Sequence, residues 1–271
     1  MGGGKCIFSN MEIILKNYIK FSYKYIMYPL IFMVYIRKEF YMADTKYTIL
    51  GMSSAGKTCY ITAMYMKMAS GFDGFTLVTN DETRTKFERD ILIMRQPSGQ
   101  TRFPMATNET SVRPYEFRLN YNTNKIISFE MLDYAGGTLS SRENTYEQVK
   151  RSIAESTVLY IFIDGKSFCS EDREERKENV FYDCAMTITP LIQDFADTHN
   201  GTLLPIVFVV TKADLCKKYV TNEEVITVIR ELFSPAFSEK SNSYVCAVSL
   251  GDTISDDNYQ GKLQLNNTRL I

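Results

Sequence analysis

Residues 51 to 58 read Gly51-Met52-Ser53-Ser54-Ala55-Gly56-Lys57-Thr58, two glycines with four residues between them, then a lysine and a hydroxyl residue. That spacing suits a polyphosphate. Backbone N–H groups from Ser53 to Thr58 can wrap phosphate oxygens at the positive end of a helix, and the glycines permit a curl that a Cβ would obstruct. Lys57 would neutralise the outer phosphates, Thr58 would offer its hydroxyl to Mg²⁺, and Cys59 follows directly. Candidate nucleotide-contacting positions are therefore Gly51, Ser53, Ser54, Ala55, Gly56, Lys57, Thr58 and Cys59. A thiol beside a phosphate loop could also be redox-sensitive, although a buried, inert cysteine is the plainer reading.

Four further pieces follow in an order that serves a guanine nucleotide. Asp133-Tyr134-Ala135-Gly136 is a D-x-x-G, 75 residues after Thr58. Its carboxylate could hold Mg²⁺ through water, and Gly136 lets a backbone N–H approach a γ-phosphate. Thr211-Lys212-Ala213-Asp214 is a T-K-x-D. The Asp214 carboxylate can accept two N–H bonds from a guanine edge while the stem of Lys212 lies over the base. Adenine reverses the donor pattern at C6 and lacks the exocyclic amine at C2, so this element favours GTP over ATP. Ala247-Val248-Ser249-Leu250 could bring a backbone N–H, that of Leu250, to the guanine carbonyl. Thr107 could close over Mg²⁺ and the γ-phosphate, with Thr101 and Thr110 as rivals.

These pieces need a scaffold. The apolar run Tyr47-Thr48-Ile49-Leu50 reads as a strand feeding the loop, and Ile61, Met64, Tyr65 and Met68 recur at helical spacing beyond it, stopping at Ser70-Gly71. A second helix carries Phe87, Ile91 and Met94, with Asn80 or Asp81 as cap and Gln96-Pro97 as its end. Tyr115, Phe117, Leu119 and Tyr121 alternate with polar residues, and the turn Asn122-Thr123-Asn124-Lys125 leads into Ile126 to Leu132, which predicts an antiparallel hairpin. Val158 to Asp164 and Ile206 to Val210 are continuous apolar runs of the kind buried on both faces of a parallel sheet. Between them lies a helix with Cys184, Ile188, Leu191, Ile192 and Phe195 as its stripe, which Pro190 should kink or split. Thr221 and Glu224 predict a capping box ahead of Val225, Val228, Ile229 and Leu232, and Ser243 to Ser249 is the last clear strand.

At 271 residues, with 31 basic and 32 acidic side chains, the chain suits one large α/β domain and shows no general polyanion-binding surface, so nucleic acid is not indicated. Six cysteines without a C-x-x-C pair and a single histidine, His199, supply no zinc set and suit a reducing, cytoplasmic setting. Residues 1–41 differ from the rest. They are aromatic, apolar and basic, with Lys5, Lys16, Lys20, Lys24, Arg37 and Lys38 against Glu12 and Glu39. The apolar run Tyr25 to Ile36 contains Pro29 and is shorter than the roughly 20 residues of a membrane span. Three readings stay open: a start that properly falls at Met42 or a disordered leader, an interfacial anchor at the inner membrane face, or a folded accessory helix. The organisation expected is a leader at 1–41, a nucleotide domain at 42–250 and a tail at 251–271.

The set G-x-x-x-x-G-K-T, D-x-x-G, T-K-x-D and the terminal V-S element resembles the translation-factor and Ras-like class of P-loop GTPases over roughly residues 45 to 250. Phe103-Pro104 ahead of Thr107, and the helix inserted before the hairpin, look like prokaryotic double-GTPase-type domains. The resemblance implies a three-layer α/β fold with a mostly parallel six-stranded sheet containing one antiparallel strand. It also implies Mg²⁺ as cofactor, GTP and GDP as ligands, a protein effector or activating partner, Lys57, Thr107 and Gly136 as the hydrolytic group, and Thr58, Thr107 and Asp133 as the metal group. Two departures stand out. Gly137 occupies the position where Ras-like proteins keep the water-orienting glutamine, and only 21 residues follow Leu250, with no apolar periodicity for a closing helix. The competing readings are a GTP-bound interaction module without turnover and an ATP-using phosphotransferase.

Overall fold

The computed structural model describes residues 45–96, 103–104, 112–135, 143–250 and 266–269. Its strands are β1 (Thr45–Leu50), β2 (Phe75–Thr79), β3 (Val112–Tyr121), β4 (Asn124–Tyr134), β5 (Val158–Asp164), β6 (Ile206–Thr211), β7 (Ser243–Ser249) and β8 (Asn266–Arg269). They form one sheet in the order β2-β3-β4-β1-β5-β6-β7-β8. β4, β1, β5, β6 and β7 run parallel, β3 pairs antiparallel with β4, and β8 pairs antiparallel with β7.

The inner six strands, β3 to β7, match the expected sheet with its single antiparallel member. The sheet as a whole has eight strands rather than six, because β2 and β8 extend its two edges. Neither announces itself in the sequence. β2 is five residues long between Gly74 and a helix, and β8 reads Asn-Asn-Thr-Arg, with no apolar residue. Edge strands are held by backbone bonds to one neighbour and need no continuous apolar run.

Side-chain alternation divides the core into two layers. Tyr47, Ile49, Tyr115, Phe117, Phe129, Met131, Tyr160, Phe162 and Val209 face helices α1 (Lys57–Ala69) and α2 (Asp81–Met94). Leu50, Leu159, Ile161, Ile163, Phe208 and Val210 face α3 (Glu143–Glu155), α4 (Arg173–Val180), α5 (Met186–Thr198) and α7 (Asn222–Leu232). A four-residue helix, α6 (Ala213–Cys216), follows β6. This gives a three-layer α/β fold with a mostly parallel sheet.

Local rules account for the helix ends. The Asn80 side chain accepts from Thr83 N at 2.8 Å and caps α2, and Thr221 and Glu224 form the reciprocal capping box of α7. The helix beyond β5 starts at Arg173, capped by Asp172, and is split by a wide π turn at Phe181–Ala185. That turn ends next to the Met186 carbonyl, which the ring of Pro190 would meet in a regular helix, so the relief lies a turn upstream of the proline.

Candidate functional site

The C-terminal ends of β1, β4, β5, β6 and β7 bring their loops to one edge of the sheet, where ligands of open α/β sheets bind. At Gly51 the backbone passes so close to β5 that a Cβ would stand 2.7 Å from the Phe162 carbonyl oxygen. Gly56 takes the N-cap position of α1 at φ 79°, and Ser54 also turns left-handed at φ 65°. Among the described residues no side chain caps α1, and no acidic residue lies in its first turn. The unsatisfied N–H groups of that turn are thus left to an external anion.

Lys57 is 7% exposed and donates from Nζ to the Gly51 carbonyl at 2.7 Å and the Met52 carbonyl at 3.1 Å. An ammonium has three donors, so among the described residues one is left for an external acceptor. Burial pulls the Lys57 pKa below the usual lysine value, and Asp133 pulls the other way. The loop is preformed around a cation with incomplete partners.

Asp133 lies near the end of β4, beside Ile49 in the parallel ladder with β1, and is fully buried. Thr58 Oγ1 donates to its Oδ2 at 3.4 Å, while Oδ1 has no partner among the described residues. Burial raises the Asp133 pKa, and the cations Lys57, Arg113 and Lys86, with the Thr58 hydroxyl, hold it back. An orphaned buried carboxylate oxygen next to a hydroxyl fits a hard divalent cation such as Mg²⁺. Among the described residues no group of three or more His, Cys, Asp or Glu side chains is placed to hold a metal.

Arg113 and Lys86 are absent from the sequence-based set. Arg113 sits directly opposite Asp133 in the β3–β4 ladder, and the Lys86 ammonium lies 5.5 Å from the Tyr115 ring centre. The signal for Arg113 was available: the Tyr115, Phe117, Leu119 alternation, carried two residues back, puts Arg113 on the buried face.

Opposite the phosphate loop, Thr211 Oγ1 donates to the Ala55 carbonyl at 2.9 Å and the Ile163 carbonyl at 3.3 Å. Lys212, left-handed at φ 49°, donates from Nζ to the Ser54 carbonyl at 2.9 Å and to the Asp164 carboxylate. Asp214 stands in the first turn of α6, half-buried. Ser249 ends β7 and is buried, and Leu250 packs with Cys59 and Met66 around Met94. Burial pushes the Cys59 thiol up to about 11, with Asp90 adding to the rise. At neutral pH that cysteine is a protonated packing residue, which disfavours a redox role.

Thr107, with its rivals Thr101 and Thr110, lies outside the described residues, as do Gly136, Gly137 and residues 1–41. The site therefore unites Gly51 to Cys59, Asp133, Thr211 to Asp214, Ser249 and Leu250 at one edge. Asp164, Arg113 and Lys86 join them. Among the described residues no helix is long and apolar enough to cross a membrane.

None of the curated proteins compared with the chain matches it. A family model described as Double-GTPase 2 matches residues 48–257, from within β1 to beyond β7. That span takes in every loop of the site and more than half of the sequence, and the chain belongs to the Double-GTPase 2 family.

Proposed function

We propose that the chain is a guanine-nucleotide switch that binds GTP and GDP with Mg²⁺ and hydrolyses GTP slowly to GDP and phosphate. The observation that carries this reading is the tie between the two half-sites. Thr211 and Lys212 bond to the carbonyls of Ala55 and Ser54, so a base seated on the T-K-x-D loop is held in register with phosphates seated on α1. Such register converts tight ground-state contacts into orientation of the γ-phosphate.

In this reading Lys57 and the amides from Ser53 to Thr58 stabilise charge developing on the β–γ bridge. Thr58 and Asp133, with Thr107, would hold Mg²⁺, which when bound supplies Lewis-acid neutralisation of the phosphate oxygens. Gly136 would offer its N–H to the γ-phosphate. No glutamine follows Gly136 to orient water, so turnover depends on a partner or on residues just downstream, such as Arg142 or Glu143. A protein effector that reads the GTP-bound form belongs to the same reading.

Single-turnover hydrolysis of GTP labelled at the γ-phosphate, in Mg²⁺ buffer, tests it. The expected rate is on the order of 10⁻³ s⁻¹ or below. Lys57→Ala should abolish it and weaken nucleotide binding about ten- to a hundredfold, because the charge-assisted contact of the one remaining Lys57 donor is lost. A fast basal rate that survives Lys57→Ala would sink the mechanism. Tight GTP binding with no turnover at all would support instead a non-hydrolysing interaction module, which Gly137 favours.

A further inference from the structure

We propose that Asp164, the last residue of β5, is a positioning residue that pins Lys212 across the base site and thereby sets how slowly bound guanine nucleotide is released. This rests on the guanine-nucleotide reading above and adds to it a residue outside the T-K-x-D motif.

The geometry has four parts. First, β5 and β6 are paired so that Asp164 lies beside Thr211, one residue before the lysine. Second, Gly165 allows the two strand ends to touch: a Cβ there would stand 2.3 Å from the Thr211 carbonyl oxygen, so only glycine lets Asp164 come this near. Third, the Asp164 oxygens have separate tasks, Oδ1 accepting from Lys166 N at 3.0 Å to cap the short 3-10 turn Gly165–Phe168, and Oδ2 receiving the Lys212 ammonium. Fourth, that ammonium also donates to the Ser54 carbonyl at 2.9 Å, so it bridges the β5 end and the phosphate loop.

Lys212 holds a left-handed backbone, φ 49° and ψ 36°, which a non-glycine residue keeps only where its surroundings over-determine it. Its side chain is fixed at the tip by Asp164 and Ser54, so the stem lies across the site before any base arrives. A long side chain that is already ordered loses little rotamer freedom on binding. The pair is partly buried, with side-chain exposures of 29% for Lys212 and 19% for Asp164, and is less screened than a surface ion pair. Loss of the pin should appear chiefly in the dissociation rate, where most affinity changes within one site reside.

Asp164→Asn in the full chain isolates this effect, because the asparagine carbonyl still accepts from Lys166 N and still caps the turn. With that oxygen engaged, the amide NH2 takes the place of Oδ2, so the Lys212 ammonium loses both its counter-charge and its acceptor. Release of a fluorescent GDP analogue, chased with excess GDP, should accelerate about tenfold, the value of one charged hydrogen bond. Lys212→Ala should accelerate release at least as much, and the double variant no further than Lys212→Ala alone, since Asp164 acts only through that lysine. Unchanged release in Asp164→Asn, or effects that add in the double variant, would overturn the proposal. If the wild-type protein fails to bind the GDP analogue at all, the guanine reading falls and the proposal with it. Normal binding with Asp164-independent release removes the proposal alone.

Discussion

Asp214→Asn should weaken GTP and GDP binding by roughly 10²- to 10³-fold and turn preference toward xanthosine nucleotides, because a base site built on paired polar groups rejects a ligand that leaves them unpaired. The carboxylate offers two acceptors to the N1–H and the C2 amine of guanine, whereas asparagine offers one acceptor and one donor. Xanthine carries a carbonyl where guanine carries that amine, so the new donor finds a partner. The loop that presents Asp214 is anchored independently: Thr211 bonds to Ala55 and Ile163, and Lys212 to Ser54 and Asp164. The substitution should therefore leave the fold intact, with at most about 1 kcal/mol lost at the start of α6. Competition titrations with GTP and XTP measure the change, and an unaltered GTP affinity would make Asp214 a surface residue without a part in the site.

Asp133→Asn should do two opposite things. It should cut Mg²⁺-dependent GTP affinity by about a hundredfold, through loss of a carboxylate from the cation's surroundings. It should also raise the thermal midpoint of the nucleotide-free protein. Asp133 is fully buried, one oxygen lacks a partner, and burial outweighs Lys57, Arg113 and Lys86 in raising its pKa above 3.8. With the folded pKa above the unfolded value, the folded state binds more protons across that interval, so stability falls as pH rises from 3.8 through the raised pKa. Above the raised pKa the ionised carboxylate is a net cost to the nucleotide-free protein, one that asparagine removes. Melting curves of wild type and variant, without nucleotide and then with Mg²⁺ and GTP, should cross over. A variant less stable in both conditions would show that Asp133 serves packing rather than ligand.

The features read correctly from sequence are those whose meaning is local. The loop from Gly51 to Thr58 encodes its own curl, since a helix N-terminus and two glycines suffice, and the Asn80 cap and the Thr221–Glu224 box each lie within four residues. The hairpin of β3 and β4 was legible from its alternation and polar turn. What stayed hidden depends on pairing between distant segments. Asp164 is one acidic residue among 32, and nothing near it in sequence points to Lys212, 48 residues on, until β5 lies beside β6. Arg113 gains meaning only from the register that sets it against Asp133. β2 and β8 were missed because an edge strand can be short or polar when its neighbour supplies the ladder. The break that Pro190 predicts is present but lies upstream of it, because a proline's clash falls on a carbonyl four residues earlier and the helix yields there.

The central claim is that this site takes guanine rather than adenine, and one competition experiment addresses it directly. A fluorescent GDP analogue bound to the wild-type protein in Mg²⁺ buffer is displaced with increasing GTP, GDP or ATP. Bonding of the guanine edge to Asp214 predicts that GTP and GDP compete at least about a hundredfold more effectively than ATP. Displacement by ATP at the same concentrations as GTP would contradict the assignment of the base and return the chain to the wider class of phosphate-loop proteins that use adenine nucleotides.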